Sequence, residues 1–175
     1  SDNVLNNIKK SAVNCSMVYP NECYLEAIGK LTDTTKILKL KKKTKQVSAE
    51  LKRLGIDIDS YSYIDMKLLV SHYHRVHAPV SGIIKNLIPV EGTDDFFGNN
   101  SLWIVEFETK KSPVYLMLVG ESSIQDFDFF VEKKDAVHIM DELGFFNWGS
   151  QTILLYNPND FKIENVEINK HHFVG

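Results

Sequence analysis

The sequence predicts a β-rich α+β domain: compact antiparallel sheets or a sandwich, with few short helices. Three observations predict it. Short runs dense in β-branched and aromatic residues recur along the chain, among them LWIVEFET, PVYLMLVGESSI and TILLY. Few stretches carry the apolar period of a helix. The 175 residues, 43% hydrophobic and 25% charged, suit a single domain spanning 1–175, and neither a repeat nor a linker divides them.

Taken in order, residues 1–17 are mostly polar and read as a tail or marginal helix, and the chain turns apolar at Val18 near Pro20. From Tyr24 to Leu40 apolar and polar residues roughly alternate around Gly29 and Thr32-Asp33-Thr34, which reads as a β-hairpin. Ser48 suits the N-cap of a short helix that runs through Leu54 and ends at Gly55. Apolar density rises again from Ile64 to Val70. Pro79 and Gly82 then break the segment HYHRVHAPVSGII before a strand begins near Ile83, so the histidines belong to a strand end or turn. LWIVEFET and PVYLMLVGESSI, separated by Lys110, Lys111 and Ser112, form a second hairpin. LGFFNWGSQTILLYNP supplies a turn and a last long strand closed by Pro158.

Composition narrows the function classes. A net charge of −3 gives no basic field for a phosphate backbone, so no nucleic-acid partner is expected. Six lysines between Lys36 and Lys45 form one cluster, read first as a solvated face and second as a contact for anionic headgroups. No run approaches the length of a membrane span, and the N-terminus lacks the apolar core of a signal peptide. Two cysteines, Cys15 and Cys23, are too few for a disulfide framework. Together these point to a cytoplasmic protein, peripheral to a membrane at most. Ser1 is not an initiating methionine, which leaves room for a removed N-terminal segment.

Three places carry candidate chemistry: Glu22 after Pro20, the cluster His72-Tyr73-His74-Arg75-Val76-His77, and the turn Trp148-Gly149-Ser150-Gln151. Imidazole changes protonation near neutral pH, so the histidine cluster says most. Its H-x-H and H-x-x-H spacings could seat zinc, but zinc needs three or four ligands and the cysteines lie far upstream, so no metal is expected. A plain serine hydrolase would want a strand-turn-helix elbow, whereas a strand follows Ser150.

Read together, YHRVHAP, LMLVGESSI and ELGFFNWGSQTILLY resemble, in order and spacing, the phosphatidylserine decarboxylase family. Its members carry a Y-H-R-x-H-x-P element, an L-V-G strand and a G-S-T or G-S-S cleavage site after an E-L/M-G-x-F segment. PNECYLEAIGKL resembles the family's P-V-D-G-x-I-x-x-x-G-K-I stretch, which aligns Glu22 with the catalytic aspartate, and Asn100 falls on the asparagine of its N-E-R segment. The likeness runs from about Pro20 to Pro158.

The resemblance implies a pyruvoyl-dependent carboxy-lyase that makes its own cofactor, a pyruvoyl group derived from Ser150, by autocatalytic serinolysis at Gly149-Ser150. It implies a zymogen cut into 1–149 and 150–175, which then decarboxylates an amino-acid carboxylate through a Schiff base. By the same resemblance His77 is the base, Glu22 its orienting acid and Ser150 the nucleophile. His74 is a second polar group at the pocket, and Tyr73 and Asn100 bind substrate. The residue types suit these tasks: glycine offers an unhindered carbonyl, and serine needs a histidine oriented by a carboxylate.

Several positions depart from the family's pattern. Glu22 replaces aspartate, Cys23 a glycine, Gln151 a hydroxyl residue, and Ser101-Leu102 a charged pair. The expected substrate is phosphatidylserine, converted to phosphatidylethanolamine, with a soluble amino acid or peptide as the alternative. An unprocessed, non-catalytic binding relative is a further alternative. Expected partners are thus a small-molecule amine or a phospholipid, and a homodimer is compatible with them.

Overall fold

The computed structural model describes residues 15–32, 36–40, 43–46, 51–69, 73–91, 101–121 and 123–175, with backbone alone at 36–40, 43–46 and 150. The strands are β1 (Cys15–Met17), β2 (Cys23–Lys30), β3 (Lys36–Leu40), β4 (Lys43–Gln46), β5 (Ser62–Lys67), β6 (Arg75–His77), β7 (Gly82–Val90) and β8 (Leu102–Glu108). They continue as β9 (Val114–Gly120), β10 (Phe127–Phe129), β11 (Ala136–Val137), β12 (Glu142–Phe146), β13 (Gly149–Tyr156), β14 (Phe161–Ile163) and β15 (His171–His172), with a 3₁₀ turn at Ile124–Asp126. This is the β-rich antiparallel architecture that the sequence predicts.

An eight-stranded sheet in the order β11-β7-β8-β9-β13-β5-β2-β15 forms the centre, and its neighbouring strands are antiparallel. Successive side chains of a strand face opposite ways, and here both ways are buried. Val114, Leu116 and Leu118 of β9 join one core with Leu154 of β13, while Tyr115, Met117 and Val119 join another with Ile153 and Leu155. Burial on both faces explains why these strands read as unbroken apolar runs without alternation.

The first core is closed by the three-stranded sheet β10-β12-β6, through Val76, Phe127, Leu143 and Phe146. The second is covered by the segment after β4, through Leu51, Ile56 and Ile58. Residues 51–53 are helical, and Gly55 has φ +75°, the left-handed geometry expected of the glycine that ends a helix. Ser48, its expected cap, lies outside the described residues.

Two expectations are corrected. Residues 15–17 are a strand, not part of a tail: β1 pairs in parallel with β14, and Met17 is buried. The alternating stretch from Tyr24 to Leu40 is no hairpin, because β2 pairs with β5 and β15 while β3 pairs with β4. Alternation fixes a strand's two faces but not which strand lies beside it. Of the lysine cluster, Lys36 and Lys39 lie on β3 and Lys43 and Lys45 on β4, while Lys41 and Lys42 lie outside the described residues. Cys15 is exposed, Cys23 is buried, and both are free thiols. Among the described residues no helix is long and apolar enough to cross a membrane.

Candidate active site

The histidine segment reaches the core as β6, a short strand pairing with β12 so that His77 stands opposite Glu142 and Arg75 opposite Phe145. Backbone bonds fix it on both sides: His77 N–H donates to the Pro20 carbonyl at 2.6 Å, and Ala78 N–H to the Asp141 carbonyl at 2.7 Å. The ring is fixed as well. Nδ1 lies 2.7 Å from the Met140 carbonyl, which can only accept, so Nδ1 carries a hydrogen. Tyr73 Oη lies 3.2 Å from Nε2, and the two rings stack with centroids 5.7 Å apart. When the ring is neutral, this contact leaves Nε2 as its acceptor nitrogen.

Met140 is a contributor that no motif in the sequence marks. Its φ of +77° is uncommon for a side chain with a Cβ, and neighbouring bonds hold it there: Met140 N–H to the Ala78 carbonyl, Asp141 N–H to the His138 carbonyl, and His138 N–H to the Asp141 carboxylate. This turn presents the carbonyl to His77.

Glu22 precedes β2 and is joined to the strand that bears Ser150. The Thr152 hydroxyl donates to Asn21 Oδ1 at 2.8 Å, both side chains being fully buried, and Asn21 Nδ2 donates to the Glu22 carbonyl. The carboxylate, 18% exposed, accepts from Tyr73 N–H on Oε2 at 2.9 Å and faces His171 Nε2 on Oε1 at 2.8 Å. Glu22 and His77 are therefore linked through Tyr73, whose amide meets Glu22 and whose hydroxyl meets His77. His171 is the second contributor that sequence reasoning misses. It reaches the site only because β15 pairs with β2, which sets His171 opposite Tyr24.

The expected cleavage bond opens β13. The turn before it is held by Asp126, whose carbonyl accepts from Asn147 N–H at 2.7 Å and Trp148 N–H at 3.2 Å. Phe146 N–H donates to the His74 carbonyl at 3.0 Å, tying this turn to the histidine segment. Gly149 stands opposite Gly120 and Gln151 opposite Val119, so two steps on β13 match one on β9 and Ser150 is the extra residue of a β-bulge. A Cβ at position 149 would run into the Phe146 ring and come within 2.9 Å of the Val119 carbonyl, so only glycine fits.

Gln151 does not face the histidines. Its Nε2 donates to Asp65 Oδ1 at 2.8 Å, and both side chains are buried. This pair anchors the strand immediately beyond the bulge. His74 is half-buried, Tyr73 is exposed, and Arg75 forms an exposed ion pair with Glu142 at 2.6 Å. Asn100 and His72 lie outside the described residues, as does the side chain of Ser150. Among the described residues no group of three or more His, Cys, Asp or Glu gathers as for a metal ion. Beside the Ile139-Met140 turn runs a groove of about 880 Å³, lined by Val80, Ser81, Ile83, Ile139 and Phe161 with Lys111 among its polar residues.

The family model described as phosphatidylserine decarboxylase matches residues 5–175. A phosphatidylserine decarboxylase proenzyme of Anoxybacillus flavithermus is 26% identical over 166 residues, covering 85% of this chain and 61% of the relative. One from a Geobacillus strain is 24% identical over 172 residues, covering 85% and 62%. Phosphatidylserine decarboxylase proenzyme 3 of Schizosaccharomyces pombe is 29% identical over 125 residues, covering 61% and 13%. The chain thus spans about three fifths of the length of the two bacterial relatives.

Proposed function

The chain belongs to the phosphatidylserine decarboxylase family, a family of carboxy-lyases, and from that premise we propose that it cuts itself between Gly149 and Ser150 and then decarboxylates an amine-bearing carboxylate. The observation that carries this reading is the β-bulge at Ser150. A peptide bond that must be attacked has to leave the sheet ladder, and here the extra residue of the bulge follows a glycine that tolerates no side chain.

In the proposed reaction, Ser150 Oγ passes its proton to His77 Nε2 and attacks the Gly149 carbonyl carbon. The Gly149–Ser150 C–N bond breaks as the new C–O bond forms, leaving an ester and a free amine on residue 150. Loss of the Cα proton then expels the Gly149 carboxylate and leaves dehydroalanine, which water converts to pyruvoyl with release of ammonia. The residues present fit such a group, since it would head a strand fixed from Gln151 onward by Asp65. A pyruvoyl carbonyl, once formed, supplies the electron sink that decarboxylation of an amino acid needs.

The chain's own side chains prepare both stages. The Met140 carbonyl selects the tautomer of His77 and stabilises the imidazolium when Nε2 takes a proton. His77 Nε2 later holds the proton that the decarboxylated carbon takes up, and His74 adds a polar group on the same segment. The groove beside Ile139 supports one substrate class over another. Its apolar residues suit an acyl chain, and Lys110 and Lys111 outnumber the single carboxylate of Glu108 in the lining, which favours phosphatidylserine over a free amino acid. An uncut binding relative is the second reading, favoured by the engagement of Glu22 with His171 and Tyr73.

The test is the denatured intact mass, with and without a hydrazine reagent, followed by CO₂ release from phosphatidylserine vesicles and from free amino acids. Fragments meeting at 149 and 150, the smaller forming a hydrazone, are expected. A single unreactive chain overturns the reading.

A further inference from the structure

We propose that His171 is a positioning residue for self-cleavage: it holds the Glu22 carboxylate in the place from which, through Tyr73, the acid sets the base. The inference rests on the self-cleavage reading above. It adds a residue from beyond the cut, and no motif in the sequence points to it.

Glutamate is one methylene longer than aspartate and has an extra rotor to fix. Among the contacts that fix it are Tyr73 N–H on Oε2 at 2.9 Å and His171 Nε2 on Oε1 at 2.8 Å. Both end on the same carboxylate, one on each oxygen, so together they fix its rotation. His171 is itself held in place. β15 lies in register on β2, Leu25 N–H donates to the Lys170 carbonyl at 3.1 Å, and Asn169 N–H donates to the Leu25 carbonyl at 2.8 Å. The next residue, His172, stacks on the buried Tyr19 with centroids 4.6 Å apart and reaches the Glu167 carbonyl at 3.0 Å. Phe173 packs its ring edge-to-face with His171 at 4.6 Å. The imidazole therefore meets Glu22 from a fixed backbone, and the carboxylate's position is set by a residue 149 places away.

The experiment follows cleavage of the full chain by intact mass over time, in the parent and in His171→Ala, His171→Leu and His171→Gln. Ala and Leu remove the donor, while Gln keeps one. Ala and Leu are expected to slow cleavage by about 10- to 100-fold, the range for partners that orient a reacting group's ligand. Gln is expected to recover most of that rate. Thermal melting should be alike in all three, because the His171 side chain is 39% exposed. Cleavage of His171→Ala at the parent rate, or a Gln variant no faster than Leu, overturns the role of His171 alone. A parent that never cleaves overturns the self-cleavage reading and this role with it.

Discussion

From Ile153 to Tyr156, β13 is paired on one side with β5, side chains are buried on both faces, and β9 pairs alongside as far as Leu155. At Gly149 and Ser150 the same strand is out of step with β9, and its pairing with β5 begins only at Gln151. One end is locked by two ladders and two cores, while the other is released by a single extra residue. On the self-cleavage reading, the contrast is how a rigid element would deliver the bond to be cut. Anchoring at Gln151 and Thr152 fixes where the bond stands, and the bulge frees its backbone to change geometry.

The sharpest way to break this comparison is at the released end. Ser150→Ala should abolish cleavage and hydrazone formation, leaving one full-length mass and an unchanged melting temperature; a chain still cut there would place the nucleophile elsewhere. His77→Ala should slow cleavage by at least ~100-fold, the contribution of a general base, measured as fragment yield over time. Efficient cutting would remove His77 from the role.

The locked end should respond in the opposite sense. Leu154 is fully buried, so Leu154→Ala should cost about 2–5 kcal/mol in denaturant unfolding while cleavage of the folded chain persists. A smaller effect follows from buried acids. Burial pushes the Cys23 thiol and the Tyr19 hydroxyl up to about 12, and burial also raises Tyr115. The folded chain therefore keeps protons that the unfolded chain releases, and stability should fall as pH rises from about 9, near the free-thiol value, towards 12. At about pH 8.5 iodoacetamide should label exposed Cys15 and spare Cys23; equal labelling would show that the core opens. Least affected should be Trp148→Ala. This side chain is 67% exposed, so stability should stay within about 0.5 kcal/mol, checked by melting.

What the sequence makes legible follows the same contrast. β8, β9 and β13 are readable because burial on both faces writes continuous apolar runs, and the hairpin of β8 and β9 is readable because its turn is local. β2 is recognisable as a strand, but its neighbours β5 and β15 come from far along the chain, and nothing near Tyr24 names them. The site divides likewise. His77 and Ser150 stand out through local motifs, whereas Met140 acts through a backbone carbonyl and any residue able to take φ +77° could serve. His171 is invisible for the same reason as the neighbours of β2: its proposed role depends on which strand lies beside which.

The placement of β13 carries a mechanical consequence. Residues 150–175 hold most of an interior strand of the eight-stranded sheet, the partner of β1 and the edge strand beside β2. A cut at Gly149 would leave that piece clamped at three separated points, each raising the effective concentration of the others. Pulling it out would shear the β9 and β5 ladders together instead of unzipping them one bond at a time. A nicked chain of this design should migrate as one particle until denatured, and the two pieces, expressed apart, should reassemble as a split protein does.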